Sequence, residues 1–218
     1  MVGSQYLIGI IVASILIILL PGPSVMFVIA RTIAWGRWIG WLTALGNSLG
    51  MFVLAAAIAL GLGPLLQRSQ LLLNVVQTLG GLYLIYLGIN ALRHRRDHVA
   101  AILAVEEVRP GAFRAAREGF TVGVLNPKGL VFFAAIFPQF VDPTGGPITI
   151  QLLIFAVIFA VLAVALDGMW AIIIGASRDW FATSDGRILV LRTIGGLVML
   201  GLGITVLIPI IDSMFFPA

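Results

Sequence analysis

The sequence contains no cysteine, a single lysine, two histidines and nine acidic residues in 218 positions. Without cysteine there are no disulfides, no thiol redox chemistry and no thiolate metal site. Charge is scarce as well: 10% of residues are charged and 61% are hydrophobic. A soluble domain carries roughly 25% charged and about 45–50% apolar residues, and a chain of this size has too little interior to bury so much apolar surface. These shortages point to an all-α, polytopic membrane protein. The net charge of +4 does not indicate nucleic acid, because the arginines stand in short gaps between apolar runs, where they act as orientation signals at a membrane face. The first run, 6–20, lacks a basic leader and a small-residue cleavage site, so it reads as the start of a retained helix.

A helix crossing the hydrocarbon core needs about 20 mainly apolar residues. Six runs qualify, at 4–30, 39–63, 70–92, 119–140, 148–176 and 188–211. "GLGP" at 61–64, "DPTGGP" at 142–147 and "TSDG" at 183–186 separate them. The longest connection, 93–118, holds Arg93, Arg95, Arg96, Arg109, Arg114 and Arg117. Its latter part, "PGAFRAAREGF", fits an amphipathic helix in the interface or a charged linker. Arg31, Arg37, these six, Arg178, Arg187 and Arg192 fall on one side, and only Arg68 on the other. The positive-inside rule makes the first side cytoplasmic and both termini extracytoplasmic. Trp35, Trp38 and Trp41 fall at the same cytoplasmic interface, where indole rings favour the headgroup level.

Two phrases recur. "GGLYLIYLGI" at 80–89 and "GGLVMLGLGI" at 195–204 agree at six of ten positions, and "LLPGPS" at 19–24 has a counterpart in "VLNPKG" at 124–129. The order broken helix, helix, GGL-helix therefore occurs twice, in 1–92 and in 119–218, with 93–118 as a basic linker. Three spans per copy force the second copy to be inverted, a recurring design in secondary transporters.

The polar residues inside the spans are energetically costly. Pro21, Gly22 and Pro23 break the first span, and Ser24 falls in the first turn of a second half-helix. Asn126 is placed to cap a half-helix beginning at Pro127. Half-helix N-termini present free N–H groups and partial positive charge, which suit a carboxylate. Lys128 places a full charge in the bilayer at about 2.5–3.5 kcal/mol on insertion scales, and Asp167 is the only acid within a span. The two are expected to face one polar cavity, either as an ion pair or without direct pairing. By the helical rise, Pro23 lies ~12 Å from Arg31, Asn126 ~13 Å from Arg117, Asp167 ~16 Å from Arg178 and Asn47 ~15 Å from Arg37. All four fall near one level, which argues for a shared site. Asn47 follows the small-residue row Gly36, Gly40 and Ala44, beside Gly46 and Gly50, a pattern that lets helices approach closely. Asn47 is a candidate for substrate contact or for bridging helices. Trp170, Tyr83 and Tyr86 are candidates for the cavity wall or for lipid or packing contact.

"PGPS", "GGLYLIYLG", "NPKGLVFFAAIFPQF" and the fifth-span aspartate together resemble the lysine exporter / homoserine–threonine resistance family of bacterial amino-acid exporters, over essentially the whole chain. The resemblance implies an inner-membrane exporter that exchanges amino acids for protons, with Pro21, Gly22, Pro23, Asn126, Pro127, Lys128 and Asp167 as functional positions. It leaves the substrate open, since some relatives carry other small solutes. The residues agree with it: an amino acid has a carboxylate for the half-helix N-termini and Lys128, and an ammonium for Asp167. Burial and a neighbouring cation act on the Asp167 proton in opposite senses, so its protonation can follow cavity occupancy. No cofactor is expected. The expected partners are the substrate, protons and the lipid bilayer, with a homodimer through a small-residue face as one assembly. The rival readings are a carrier of another small solute or ion and a membrane-embedded enzyme. One intramembrane acid without cysteine makes a poor cation site. His94 and His98 have metal-binding spacing but lie in the solvated basic connection.

Overall fold

The computed structural model describes residues 2–20, 22–66, 70–94, 109–177 and 185–215. Among these all regular secondary structure is helical. In order it forms α1 (Ser4–Leu19), α2 (Pro23–Trp35), α3 (Arg37–Leu66), α4 (Gln70–Arg93), α5 (Ala112–Val124) and α6 (Pro127–Val131). A π-helical turn (Phe132–Ile136) and a 3-10 turn (Phe137–Phe140) follow, then α7 (Ile148–Ala176) and α8 (Asp185–Phe215). Pro21, Arg68, Arg95, Arg96, His98 and Arg178 lie outside the described residues. Arg37–Gly61 and Ile148–Ala176 are long and apolar enough to cross a membrane, and the number rises to four if each bent pair is one span. Those pairs are α1–α2, bent by 50°, and α5 with Pro127–Phe140, bent by 42°.

Both breaks follow from local chemistry. Leu20 is extended, the Gly22 N–H donates back to Leu20 O at 2.7 Å, and Pro23 opens α2. Proline suits that first position because its missing N–H would have no helical partner there. At the second break Asn126 Oδ1 accepts the Lys128 N–H at 3.0 Å, so the asparagine caps α6 as its position before proline suggests. Pro138 then ends regular helix near the far end of the same span, and Gln139 Nε2 donates to the Ala135 carbonyl at 3.0 Å. The "PGAFRAAREGF" segment does not form a separate interfacial helix. It runs unbroken into α5, whose small residues Ala115, Gly119 and Gly123 are buried.

Glycines set how closely the helices pack. α3 and α5 run parallel, with Gly46 and Gly50 against the carbonyls of Ala116 and Phe120, and Gly119 and Gly123 against those of Thr43 and Asn47. A Cβ on Gly123 would sit 2.2 Å from Asn47 O. Gly46 and Gly50 of α3 are therefore used inside the chain. α4 and α8 meet antiparallel. A Cβ on Gly81 would lie 2.8 Å from Leu207 Cγ, and one on Gly196 2.8 Å from Leu92 Cγ. Likewise Gly88 faces Gly196 O at 2.7 Å, and Gly203 faces Gly81 O at 2.7 Å. Laying 80–89 on 195–204 exchanges these contacts one for one. Phe132, Phe133, Phe137, Phe155 and Phe159 form the aromatic centre of the core, with ring centroids 4.8 to 6.4 Å apart. Ile8, Val12 and Leu16 on α1, and Val157 and Val161 on α7, face outward.

Polar links tie the two ends of the bundle. At one, Asp142 accepts from Gly3 N at 2.9 Å and from the Thr144 N–H and hydroxyl at 2.8 Å each, while Gln151 pins the same loop through Asp142 N and O. The Thr144 hydroxyl and N–H, aided by Gly3, hold the Asp142 carboxyl below the usual carboxylate range. At the other end Arg31 of α2 pairs with Glu118 of α5 at 2.6 Å, and Arg114 braces Glu118 at 2.8 Å. The Arg31 guanidinium lies 4.7 Å over Phe27 and 4.5 Å over Trp35.

Two outcomes follow. Gly123→Val forces a backbone shift between α5 and α3, and overpacking of this kind lowers stability by about 1–3 kcal/mol. Thermal unfolding in detergent should show a clear drop in Tm. Asp142 has a depressed carboxyl pKa, so its contribution is complete above the unfolded value near about 3.9 and is lost as pH falls through the folded value. Asp142→Asn should therefore lower Tm at pH 7, with the difference from wild type closing only at pH below about 4.

Candidate functional site

The two broken helices and α3 and α7 meet around a small cavity. Its polar lining is Ser24 of α2, Asn47 of α3, Lys128 of α6 and Asp167 of α7. Met51 and Phe159 are among its apolar wall. The volume is about 10 Å³, the space of a single water. The four polar residues are each at most 3% exposed. Lys128 and Asp167 thus line one cavity, with Asn47 and Ser24 beside them.

How each group is satisfied defines the chemistry. Lys128 Nζ donates to Ile17 O at 2.8 Å and Leu20 O at 3.0 Å. These are carbonyls at the C-terminal end of α1, freed where that helix stops and carrying its negative dipole end. The ammonium has three N–H donors, so two hold α1 and a third remains. Among the described residues no ion pair joins Lys128 to Asp167. Asp167 instead accepts from Asn47 Nδ2 at 2.9 Å, which gives Asn47 a definite place in the site. Asp167 Oδ1 and Asn47 Oδ1 are both buried without a partner. Leaving such acceptors unpaired is costly, so the pair is built to receive N–H or O–H donors. Asn126 Nδ2 donates to Ser24 Oγ at 2.8 Å and joins the two helix breaks directly. Gly22 is held by space: a Cβ there would lie 3.1 Å from Lys128 Nζ and Cδ.

Pro23 and Pro127 open the half-helices whose first turns carry Ser24 and Lys128. Trp170 is not on the cavity wall. It packs against Val25, Met26, Ile29, Ala30, Ile33 and Ile174. Tyr83 and Tyr86 lie on the outer face, 38% and 58% exposed. His94 is exposed against Asn90 O, and the described residues hold no group of three metal-ligating side chains. Three features escaped the sequence reading. The carbonyls that hold Lys128 are main-chain atoms without a residue signature. Arg31 and Glu118 were legible only as charges near span ends. A second cavity of about 240 Å³ lies at the helix breaks, lined by Pro23, Ser24, Thr121, Val122, Leu125, Asn126 and Pro127.

Residues 15–209 match the family model described as LysE type translocator. An uncharacterized membrane protein of Pseudomonas aeruginosa is 33% identical over 162 residues, covering 72% of each chain. A second uncharacterized membrane protein, from Bacillus subtilis, is 27% identical over 200 residues, 87% of this chain and 92% of that one. A leucine efflux protein of Klebsiella pneumoniae is 34% identical over 140 residues, spanning 63% of this chain and 62% of that protein. No solved structure matches. With the family model covering most of its length, the chain belongs to the LysE type translocator family, and is a multi-pass membrane transporter and not an enzyme.

Proposed function

We propose that this protein exports amino acids, or closely related small solutes, across the bacterial inner membrane by alternating access coupled to protons. The observation that carries the reading is the opposed wiring of the buried cavity. One wall offers two unpartnered acceptors, Asp167 Oδ1 and Asn47 Oδ1. The other offers the Lys128 ammonium with a spare donor. A zwitterion matches both, with its ammonium toward Asp167 and Asn47 and its carboxylate toward Lys128 and the first turn of α2. Efflux of leucine by the Klebsiella relative supports an amino acid as cargo.

The remaining elements fit a carrier cycle. Six spans form two inverted repeats, 1–92 and 119–218, a reading supported by the exchangeable glycine contacts of α4 and α8 and by the proline break in each half. Arginine placement puts the Arg31 end in the cytoplasm and both termini outside. A cavity of about 10 Å³ is too small for an amino acid, so binding requires the bundle to open. The Arg31–Glu118 pair closes the cytoplasmic end, and the Asp142–Gly3 link closes the outer one. Substrate enters after the first parts and leaves after the second. With substrate gone, Asp167 returns neutral by holding a proton, which the Asn47 amide and the empty site then tolerate.

Reconstituted vesicles preloaded with labelled amino acids, assayed with and without a pH gradient, test this directly. Gradient-dependent efflux is expected. Lys128→Ala and Asp167→Asn should each lower it at least about tenfold, because hydrogen bonds to charged groups contribute about 1.5–3 kcal/mol. Full proton-coupled exchange by Asp167→Asn would remove that residue from the coupling step, and absence of efflux from folded wild-type protein would point to another solute.

A further inference from the structure

One buried polar side chain lies outside the site described above. Ser14 of α1 is fully buried, and its Oγ has no partner. A hydroxyl inside a helix commonly donates to the carbonyl one turn back. Thr32, Thr43, Ser48, Thr78, Thr121 and Thr193 all do so, at 2.7 to 3.1 Å. An unpaired buried hydroxyl is unfavourable, and alanine would fill the same position as a better helix former. Ser14 therefore gives α1 no stability that alanine would not.

Its place in the fold is more informative. Ile10, Ser14, Ile17 and Ile18 are the buried residues of α1, and Ser14 is the polar one. α1 packs on α7 and on the 3-10 turn, where a Cβ on Gly9 would lie 2.6 Å from the Phe140 ring. α7 presents a buried stripe at every fourth residue: Gln151, Phe155, Phe159, Ala163 and Asp167. That stripe is polar only at its ends. Asp167 lines the small cavity, and Gln151 pins the Asp142 loop to which Gly3 N donates. The seam between α1 and α7 thus runs from the cavity, lined in part by Ile17, Ile18, Phe159 and Ala163, to the link at the outer end. By helical rise Ser14 lies ~4.5 Å outward from Ile17, whose carbonyl holds Lys128, and ~17 Å inward from Gly3.

We infer that the outer half of the transport route opens along the seam between α1 and α7, and that Ser14 is a substrate-binding residue of that half. A carboxylate only accepts hydrogen bonds, and a serine hydroxyl can donate one. As α1 and α7 part, the Ser14 hydroxyl donates to the substrate carboxylate one helical turn outward from Lys128. The carboxylate then passes from ammonium to hydroxyl before it reaches water, and Phe155 and Phe159 close the seam behind it. The inference rests on the exporter reading and adds to it the exit path and a residue that meets the substrate there.

Two measurements separate this role from a structural one. Ser14→Ala removes a buried hydroxyl that has no partner, so Tm in detergent should stay level or rise. Efflux of labelled amino acids from vesicles should nevertheless slow about tenfold, the loss expected for one hydrogen bond to a charged group. A fall in Tm, or efflux at the wild-type rate, would overturn the role of the hydroxyl. The route itself is read by thiol labelling, because the chain has no cysteine of its own. A membrane-impermeant maleimide is applied to intact cells and to inside-out vesicles, and the protein is then purified. Ser14→Cys should be labelled from the cell exterior, whereas Leu16→Cys, on the outward face of the same helix, should not. Labelling of Ser14→Cys from neither face, labelling only from the cytoplasmic one, or equal labelling of both variants overturns the seam route. If folded wild-type protein exports no amino acid, the exporter reading falls and takes the substrate role of Ser14 with it, while labelling of Ser14→Cys still upholds or overturns the opening of the seam.

Discussion

The structure depends on how one lysine ammonium is held away from water. Lys128 is 2% exposed, and an isolated charge in that position would be prohibitive. It is stabilised because α1 stops short and turns two carbonyls toward it, Ile17 O and Leu20 O. The broken first helix and the buried lysine are therefore one device. The break supplies an acceptor that an unbroken helix would have consumed, and the lysine satisfies Ile17 O while sharing Leu20 O with the Gly22 N–H. Gly22 belongs to it too, since any side chain there would press on the ammonium.

The second half mirrors this arrangement with different chemistry. Its break is capped by Asn126, which also reaches across to Ser24 in the first break. The two discontinuities are thus joined through one side chain. α3 and α7 complete the site from the unbroken spans by contributing Asn47 and Asp167. The Gly119 and Gly123 contacts fix α5 against the turns of α3 that carry Thr43 and Asn47. Packing between small residues therefore sets the position of the Asp167 hydrogen-bond donor, linking helix approach to site geometry.

Much of this was legible beforehand. Scarce charge and long apolar runs gave helices and a membrane. Proline beside glycine or asparagine located both breaks, because backbone chemistry there is local. Counting residues from the arginines brought Pro23, Asn47, Asn126 and Asp167 to one level; the structure brings Asn47 and Asp167 to one cavity with Ser24 and Lys128, while Pro23 and Asn126 line the second. The "FRAARE" segment is helical as its periodicity suggests, and its small face is buried against α3 as the start of α5. Trp170 was ambiguous because one turn of helix separates it from Asp167, and helix rotation, which sequence does not give, turns it toward α2.

The sequence by itself determined where helices form, where they break and which few polar groups must be satisfied inside them, because each of those is a matter of composition and neighbouring residues. Only the tertiary structure decided who satisfies whom. Lys128 went to main-chain carbonyls 108 and 111 positions away and not to Asp167, and Asp167 went to an amide 120 positions away. The tertiary structure also decided which acceptors stay open. Such outcomes are set by how helices cross and rotate, and contact between distant residues leaves no trace in local spacing.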